Sequence, residues 1–215
     1  QTSAELTSKG DRKDQGLEET QNLMPILNPE DTWNRRRTYI GGINEWVDVE
    51  TVISTTNDLA VAPGSLVKQW EEGGRKYFQY KVDHPSLNFY SFVSADYKVA
   101  ANRWNGIDIE VYYHPEHEWN VENMLRSIRD SLEYYTENFG PYKHKQARII
   151  EFPRIASFAQ AFPGTMPYSE GIGFIADIKE DDDIDMVYYV VAHEMAHQWW
   201  AHQVIGSNMQ GSTLL

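Results

Sequence analysis

Two histidines four residues apart, with a glutamate directly after the first, are the residues of this sequence best suited to chemistry. They are His193, Glu194 and His197, in the segment His193-Glu194-Met195-Ala196-His197. On a helix, residues four apart leave the same face with Cβ atoms about 5–6 Å apart. One Zn²⁺ can then accept a nitrogen from each imidazole at about 2.0–2.1 Å. Glu194, rotated by roughly 100° from His193, is better placed as a general base for a metal-bound water than as a ligand.

The motif has this meaning only on a helix, and its flanking residues predict one. Asp185 is a suitable N-cap, and the acidic residues at 180–183 lie where a helix dipole favours negative charge. An apolar stripe follows at helical spacing: Met186, Val187, Val190, Val191, Met195 and Trp199. The alternative is a buried helix with two ordinary hydrogen-bonded histidines. We favour the metal site, because two histidines and an acid among valines are costly to desolvate without a ligand.

The composition is that of a globular chain with room for one large domain or two small ones. Of its 215 residues, 41% are hydrophobic and 24% are charged. The net charge of −13 argues against nucleic acid or an anionic membrane as a partner. The absence of cysteine excludes disulfides and thiolate zinc sites. No apolar run approaches the roughly 20 residues of a membrane span, and no secretory signal is visible.

The first half of the chain predicts a polar lead-in followed by a β-rich module. Residues 1–36 are polar, and we interpret them as a loop or partly disordered lead-in. Residues 37–116 form the predicted β-rich domain, because apolar and polar residues alternate through them. The predicted strands lie at 47–53, 66–70, 76–82, 88–93 and 107–113. The Glu71-Glu72-Gly73-Gly74 segment predicts a hairpin turn between the second and third of them.

Residues 117–215 predict a second module in which helices and strands mix. Asn120 is the expected N-cap of a helix that Gly140-Pro141 ends. A strand at 147–152, a loop at 153–171 and a short strand at 172–178 precede the histidine helix. This order of elements is typical of an α+β fold.

Two segments of the second module resemble the gluzincin zinc metallo-aminopeptidases of the aminopeptidase N and leukotriene-hydrolase type. They are His193-Glu194-Met195-Ala196-His197-Gln198-Trp199 and Ser169-Glu170-Gly171-Ile172-Gly173-Phe174-Ile175. Further segments resemble the bacterial branch fused to ABC-type transporter permeases: Phe152-Pro153-Arg154, Ser157-Phe158-Ala159-Gln160 and the run at 197–203. The resemblance implies the C-terminal part of a β-sheet N-terminal domain, followed by the first half of a thermolysin-like catalytic domain at 117–215.

The resemblance also implies a role for each site residue. His193 and His197 bind one Zn²⁺, and Glu194 is the base that activates the bound water, whose pKa Zn²⁺ lowers toward 7. In the family, the acid of a Gly-Ala-Met-Glu-Asn loop holds the free α-amine of the substrate. The best match puts Glu170 on that acid, although the neighbouring letters differ here. The alternative is an exposed loop glutamate.

The family's third zinc ligand, a glutamate on the following helix, has no counterpart in the sequence. No Glu occurs between His197 and Leu215, so we expect this ligand beyond Leu215. The sequence begins with Gln1 instead of Met, which suggests a piece of a longer protein. Catalytic zinc sites use three protein ligands plus water. We therefore expect this piece to bind zinc weakly and to lack a complete active site.

Several other histidines and acidic residues are interpreted as structural or surface residues without a metal or catalytic role. His202 does not complete a metzincin motif, because Trp200 and Gln203 occupy the positions of its glycine and third histidine. We interpret His202 as a histidine at a helix end. The acidic residues at 180–185 lack the alternation of a calcium loop. The group at 114–118, which contains His114 and His117, shows no ligand spacing and is predicted to lie in a linker between the modules.

The leading functional hypothesis is a zinc-dependent aminopeptidase that acts on peptides with a free N-terminus. The alternative is a non-catalytic peptide-binding or regulatory domain of a membrane transporter, with the permease in the same polypeptide. An endoprotease with the same metal centre is a third hypothesis. The parent is expected to be a membrane-anchored bacterial protein, and the piece itself to be soluble.

Overall fold

The computed structural model describes residues 46–178 and 184–204. The predicted lead-in at 1–36 and the acidic run at 180–183 lie outside these ranges. The described residues form a sheet-rich α+β fold with eleven strands and two helices. The strands are β1 (Trp46–Val47), β2 (Glu50–Thr55), β3 (Leu59–Val61), β4 (Ser65–Glu72), β5 (Arg75–Lys81), β6 (Ser86–Leu87), β7 (Val93–Ala95), β8 (Lys98–Trp104), β9 (Ile107–Tyr113), β10 (Gln146–Phe152) and β11 (Thr165–Ser169). The helices are α1 (Val121–Phe139) and α2 (Met186–Ala196).

A mixed four-stranded sheet in the order β8-β9-β10-β11 lies at the centre. β8 and β9 form an antiparallel pair, whereas β9, β10 and β11 run parallel. β10 is buried on both faces although three of its seven residues are polar: Gln146, Arg148 and Glu151. Ala147 and Ile149 belong to the core beneath the helices, whereas Ile150 packs in a second cluster with Val61 of β3.

The β-rich part of the chain covers the other face of this sheet. It contains the antiparallel sheet β2-β5-β4 and the two-stranded pairs β3-β7 and β1-β6. The predicted hairpin is confirmed: β4 and β5 pair around Gly73 and Gly74, both of which have positive φ. The buried Arg148 of β10 fixes this part to the central sheet. Its Nη1 donates to the carbonyls of Ala62 (3.1 Å) and Gly64 (2.9 Å).

The two helices pack against each other and over the central sheet. α1 ends at Gly140, as predicted, and presents an apolar stripe to the core: Val121, Met124, Leu125, Ile128 and Leu132. α2 begins at Asp185, whose side chain accepts a hydrogen bond from the Tyr188 N–H (2.9 Å). The N-cap predicted at this helix is therefore confirmed.

Asn120 precedes α1 as predicted, but its side chain does not cap the helix. Its Nδ2 instead donates to the carbonyls of Gly173 (2.7 Å) and Ala176 (2.9 Å), which lie in the loop after β11. A local capping prediction could not foresee this use, because the acceptors are more than fifty residues away along the chain.

The strand predicted at 172–178 is wrong, and the strand lies instead at Thr165–Ser169, inside the predicted loop at 153–171. Residues 170–175 form turns, closed by hydrogen bonds from the Gly173 N–H to Ser169 O and from the Ile175 N–H to Glu170 O. Pro167 argued against a strand, because proline cannot donate to a ladder. Its carbonyl nevertheless accepts from the Gln160 N–H, and it pairs with Ile150.

The strand predicted at 88–93 is also largely absent, since residues 88–92 are irregular between β6 and β7. β3 and β8 are strands that the alternation pattern did not reveal. The central sheet takes strands from both sides of the predicted domain boundary at 116, since β9 pairs with β10. Neither described helix is both long and apolar enough to cross a membrane.

Candidate active site

The histidine motif lies on a helix, as predicted, at the C-terminal end of α2. The helix ends at Ala196 with His197 as its C-cap, whereas the apolar pattern predicts that it continues to Trp199. The helix buries Val187, Val191 and Met195 against the core, while Met186 and Tyr189 are exposed on its opposite side. Asp185 also accepts a hydrogen bond from Asn123 Nδ2 (2.7 Å), which fixes the start of α2 to α1. The helix that carries the motif is therefore held at its N-terminus and along its buried face.

The side chains of His193 and His197 converge. Their Nε2 atoms are 3.1 Å apart, and their ring planes are nearly perpendicular. His197 Nδ1 lies 3.0 Å from the carbonyl oxygen of Trp200. Because a carbonyl can only accept, Nδ1 carries the proton and Nε2 keeps a free lone pair. Partial burial and the neighbouring His197 both lower the pKa of His193, which favours the neutral form that a metal ligand requires.

Glu194 lies beside this pair on the inward face of α2. It is only 7% exposed, and its Oε2 has no hydrogen-bond partner. Burial raises the pKa of this carboxyl group, while the nearby His197 and a hydrogen bond from the Ala161 backbone act in the opposite direction. A buried carboxylate with one unsatisfied oxygen is a costly arrangement that structural packing alone does not explain.

Ala161 belongs to a short segment that pairs antiparallel with β11 at the edge of the central sheet, and residues 159–168 are called the edge hairpin. Isolated bridges pair Ala159 with Tyr168 and Phe162 with Thr165, so residues 159–168 form a hairpin that turns at Pro163 and Gly164. The turn is fixed to the segment after α2. Gln198 accepts from the Gly164 N–H (2.8 Å) and donates to the Phe162 carbonyl (3.0 Å), and His202 Nε2 lies 3.1 Å from the Ala161 carbonyl. His202 is thus a buried residue that holds this edge.

Glu170 lies at the opposite end of the same hairpin. The bridges place Ala161 opposite Met166, and four residues of strand, or about 13 Å, separate Met166 from Glu170. Its Oε1 accepts from the Arg154 N–H (3.1 Å), and its Oε2 lies 3.8 Å from His117 Nδ1. These contacts do not bring Glu170 to His193, Glu194 or His197. Its binding of a substrate amine therefore stays a prediction.

A second group of side chains could hold a metal ion: His117, Glu151 and Glu170, whose candidate ligand atoms lie within 4.8 Å of one another. It is the only such group of three or more within residues 46–178 and 184–204. The sequence analysis placed His117 in a linker. No local signal could have found the group, because its members come from three different strand ends.

The residues present at the histidine pair fit a zinc ion. Two imidazole nitrogens converge, a backbone carbonyl fixes the tautomer of His197, and a buried carboxylate oxygen beside them lacks a partner. Imidazole nitrogens suit Zn²⁺. Within the described residues, no third ligand joins the pair. The position expected for that ligand, beyond Leu215, is not part of the described chain.

Comparison with known proteins is informative about the fold. No protein-family profile matches the sequence, and none of the curated proteins matches it. Among solved structures, the chain is similar to Legionella pneumophila aminopeptidase A in complex with aspartic acid, with a TM-score of 0.65 and 18% sequence identity. The match covers 72% of this chain and 20% of that protein's chain. At this identity the likeness shows the fold alone: the chain shares the fold of one part of an aminopeptidase.

Proposed function

We propose that this chain carries part of the active site of a zinc-dependent aminopeptidase. The observation that carries the proposal is the convergence of the His193 and His197 Nε2 atoms at 3.1 Å, beside a buried glutamate with an unpartnered oxygen. The similarity of the fold to a part of an aminopeptidase supports it independently.

Each residue has a distinct task in this proposal. His193 and His197 hold the zinc through their Nε2 atoms, and the Trp200 carbonyl keeps His197 in the required tautomer. When bound, zinc supplies a water of lowered pKa and polarises the peptide carbonyl. Glu194 accepts the proton of the attacking water on its unpartnered Oε2. Its raised pKa brings it nearer to neutral pH, where a general base both accepts and returns a proton efficiently.

The edge hairpin supplies the surface next to this centre. Ala161 is close enough to Glu194 for a hydrogen bond, so the edge hairpin adjoins the metal-binding end of α2 at this residue. Exposed strand edges can bind an extended peptide through backbone hydrogen bonds. We infer that a substrate peptide lies along this edge. Recognition of its free amine is proposed from the sequence resemblance, with Glu170 as the predicted residue.

The test is hydrolysis of aminoacyl anilides by the full-length protein that contains this chain. We expect activity that a chelator abolishes and added Zn²⁺ restores. Glu194→Gln should lower kcat by about 10²–10⁴-fold, the usual contribution of a general base. Glu133→Gln, the same change at an exposed position of α1, should leave kcat unchanged.

Three outcomes would contradict the proposal in different ways. Activity that persists after chelation would remove the metal role. Cleavage of N-terminally blocked peptides at equal rates would indicate an endoprotease. Binding of peptides without hydrolysis would favour the alternative of a non-catalytic peptide-binding domain.

A further inference from the structure

Three parallel strands end at one edge of the central sheet, and three metal-ligating side chains meet there. Glu151 is the second-last residue of β10, Glu170 directly follows β11, and His117 lies in the loop after β9. β10 pairs in parallel with both neighbours, so the carboxyl ends of all three strands coincide. In open α/β sheets, ligands bind in the crevice outside the carboxyl ends of parallel strands, and the three parallel strands here present the same kind of edge.

Each carboxylate in this group is oriented by a backbone N–H. Glu151 Oε2 accepts from the His114 N–H (2.6 Å), and its Oε1 contacts His117 Nδ1. Glu170 Oε1 accepts from the Arg154 N–H (3.1 Å), which leaves its Oε2 facing the same His117 nitrogen at 3.8 Å. One oxygen of each carboxylate is thus anchored, and the other is directed toward a shared point. Such anchoring by hydrogen bonds is the usual support of a metal ligand.

The charge balance of the group calls for a cation. Glu151 is only 4% exposed, and two carboxylates that share a site repel each other. Arg154 Nε lies 3.6 Å from Glu170 Oε1, but its side chain is 71% exposed, so water screens much of its charge. A divalent cation at the point that the two free carboxylate oxygens face would supply two positive charges to balance the two carboxylates.

We propose that His117, Glu151 and Glu170 bind a divalent transition-metal cation of the Zn²⁺ type, at a site separate from the histidine pair of α2. One imidazole nitrogen with two carboxylate oxygens favours Zn²⁺ over Ca²⁺ or Mg²⁺, which prefer oxygen ligands throughout. The ion would join the ends of β9, β10 and β11 and fix the loop that follows β11. Its role is structural, because it ties together segments that are distant along the chain.

The experiment uses the chain with His193→Ala and His197→Ala, which removes the other histidine pair. Zn²⁺ alone is titrated by calorimetry at constant pH. We expect one equivalent to bind, and thermal unfolding to shift to higher temperature in the presence of Zn²⁺. Adding His117→Gln, or separately Glu170→Gln, should weaken binding by at least about tenfold and remove the thermal shift. His84→Gln, at an exposed histidine away from the group, should change neither.

Two variants protect the test against misfolding. Glu151 is buried, and a change there could unfold the chain, whereas His117 and Glu170 are partly exposed. Far-UV circular dichroism without metal should be the same for all variants. No stoichiometric Zn²⁺ binding in the double-alanine chain would overturn the proposal. Binding that survives both His117→Gln and Glu170→Gln would overturn it too, as would tighter binding of Ca²⁺ than of Zn²⁺. None of these results depends on peptidase activity, so the metal site and the zinc-peptidase proposal can fail separately. The free oxygen of Glu170 cannot hold both this ion and a substrate amine, so binding of the ion through Glu170 would exclude the amine-binding role predicted for it.

Discussion

Gln198 accepts a hydrogen bond from the backbone N–H of Gly164 at 2.8 Å and is completely buried. Through the same side chain amide, it donates to the carbonyl of Phe162 at 3.0 Å. The first residue after the histidine motif therefore closes the turn of the edge hairpin. Because Ala161 of this hairpin contacts Glu194, the position of the edge depends on Gln198.

Replacing Gln198 with Leu should lower the free energy of unfolding by about 1–3 kcal/mol. The change leaves the buried Gly164 N–H without a partner, which costs about 1–3 kcal/mol, whereas the Phe162 carbonyl keeps its hydrogen bond from the Thr165 N–H (3.0 Å). Urea denaturation of both proteins measures the difference. Gln69→Leu, the same change at an exposed position of β4, should stay within about 0.5 kcal/mol of the parent chain. Equal effects of the two substitutions would show that the amide of Gln198 does not hold the hairpin.

Gly164→Ala should be more destabilising than Gly73→Ala, although both glycines have nearly the same backbone conformation. Their φ values are +61° and +58°. A Cβ at Gly164 would lie 2.5 Å from Oε1 of the buried Gln146, whereas a Cβ at Gly73 meets nothing within 4 Å. Both variants carry the strain of a positive φ, on the order of 1 kcal/mol. The extra loss of unfolding free energy in Gly164→Ala, measured from the urea midpoints, gives the cost of the clash with Gln146. Equal losses in the two variants would contradict this prediction.

Asn120→Asp distinguishes a helix-capping role of Asn120 from its observed role as a hydrogen-bond donor to the loop after β11. Aspartate caps a helix as well as asparagine does, so a cap would tolerate the change. Aspartate cannot donate, however, and the bonds to the Gly173 and Ala176 carbonyls would be lost. We expect a loss of about 1–3 kcal/mol in unfolding free energy, together with faster amide exchange in residues 170–176. A variant as stable as the parent would restore the capping interpretation.

The stability of the chain should fall as the pH decreases below about 6.5, because of His144. Burial, and then the neighbouring His202, lower the pKa of His144 to about 3, with Asp83 and His84 as its other charged neighbours. The unfolded chain takes up a proton near pH 6.5, whereas the folded chain does not, so acid favours unfolding. Between pH 6 and pH 5, before most carboxylates titrate, this histidine contributes up to about 1.4 kcal/mol per pH unit.

The measurement is urea denaturation at pH 7, 6 and 5 in the absence of added metal. In His144→Leu, the unfolding free energy should decrease less steeply with falling pH, by up to the contribution of one proton. In His114→Gln, a change at an exposed histidine, the slope of unfolding free energy against pH should equal that of the parent chain. An unchanged slope in His144→Leu would show that other groups cause the pH dependence.

The sequence by itself determined the elements whose signals are local. The spacing of His193 and His197 predicted their convergence, because residues four apart share one face of a helix. The apolar stripe of α1, the Asp185 cap and the Gly73-Gly74 turn were predicted for the same reason. Each of these features is determined by residues within about one or two helical turns of one another along the sequence. A local sequence pattern is therefore sufficient to predict it.

Only the tertiary structure decided which distant residues meet. His117 contacts Glu151 across 34 residues of chain, because parallel pairing of β9, β10 and β11 brings their ends to one edge. The same pairing gave Pro167 a strand position and placed Glu170 directly after β11, where it contacts Arg154. In each case a residue's role was set by neighbours from other strands. Sequence periodicity reports which face of an element is buried, but not which other element covers it.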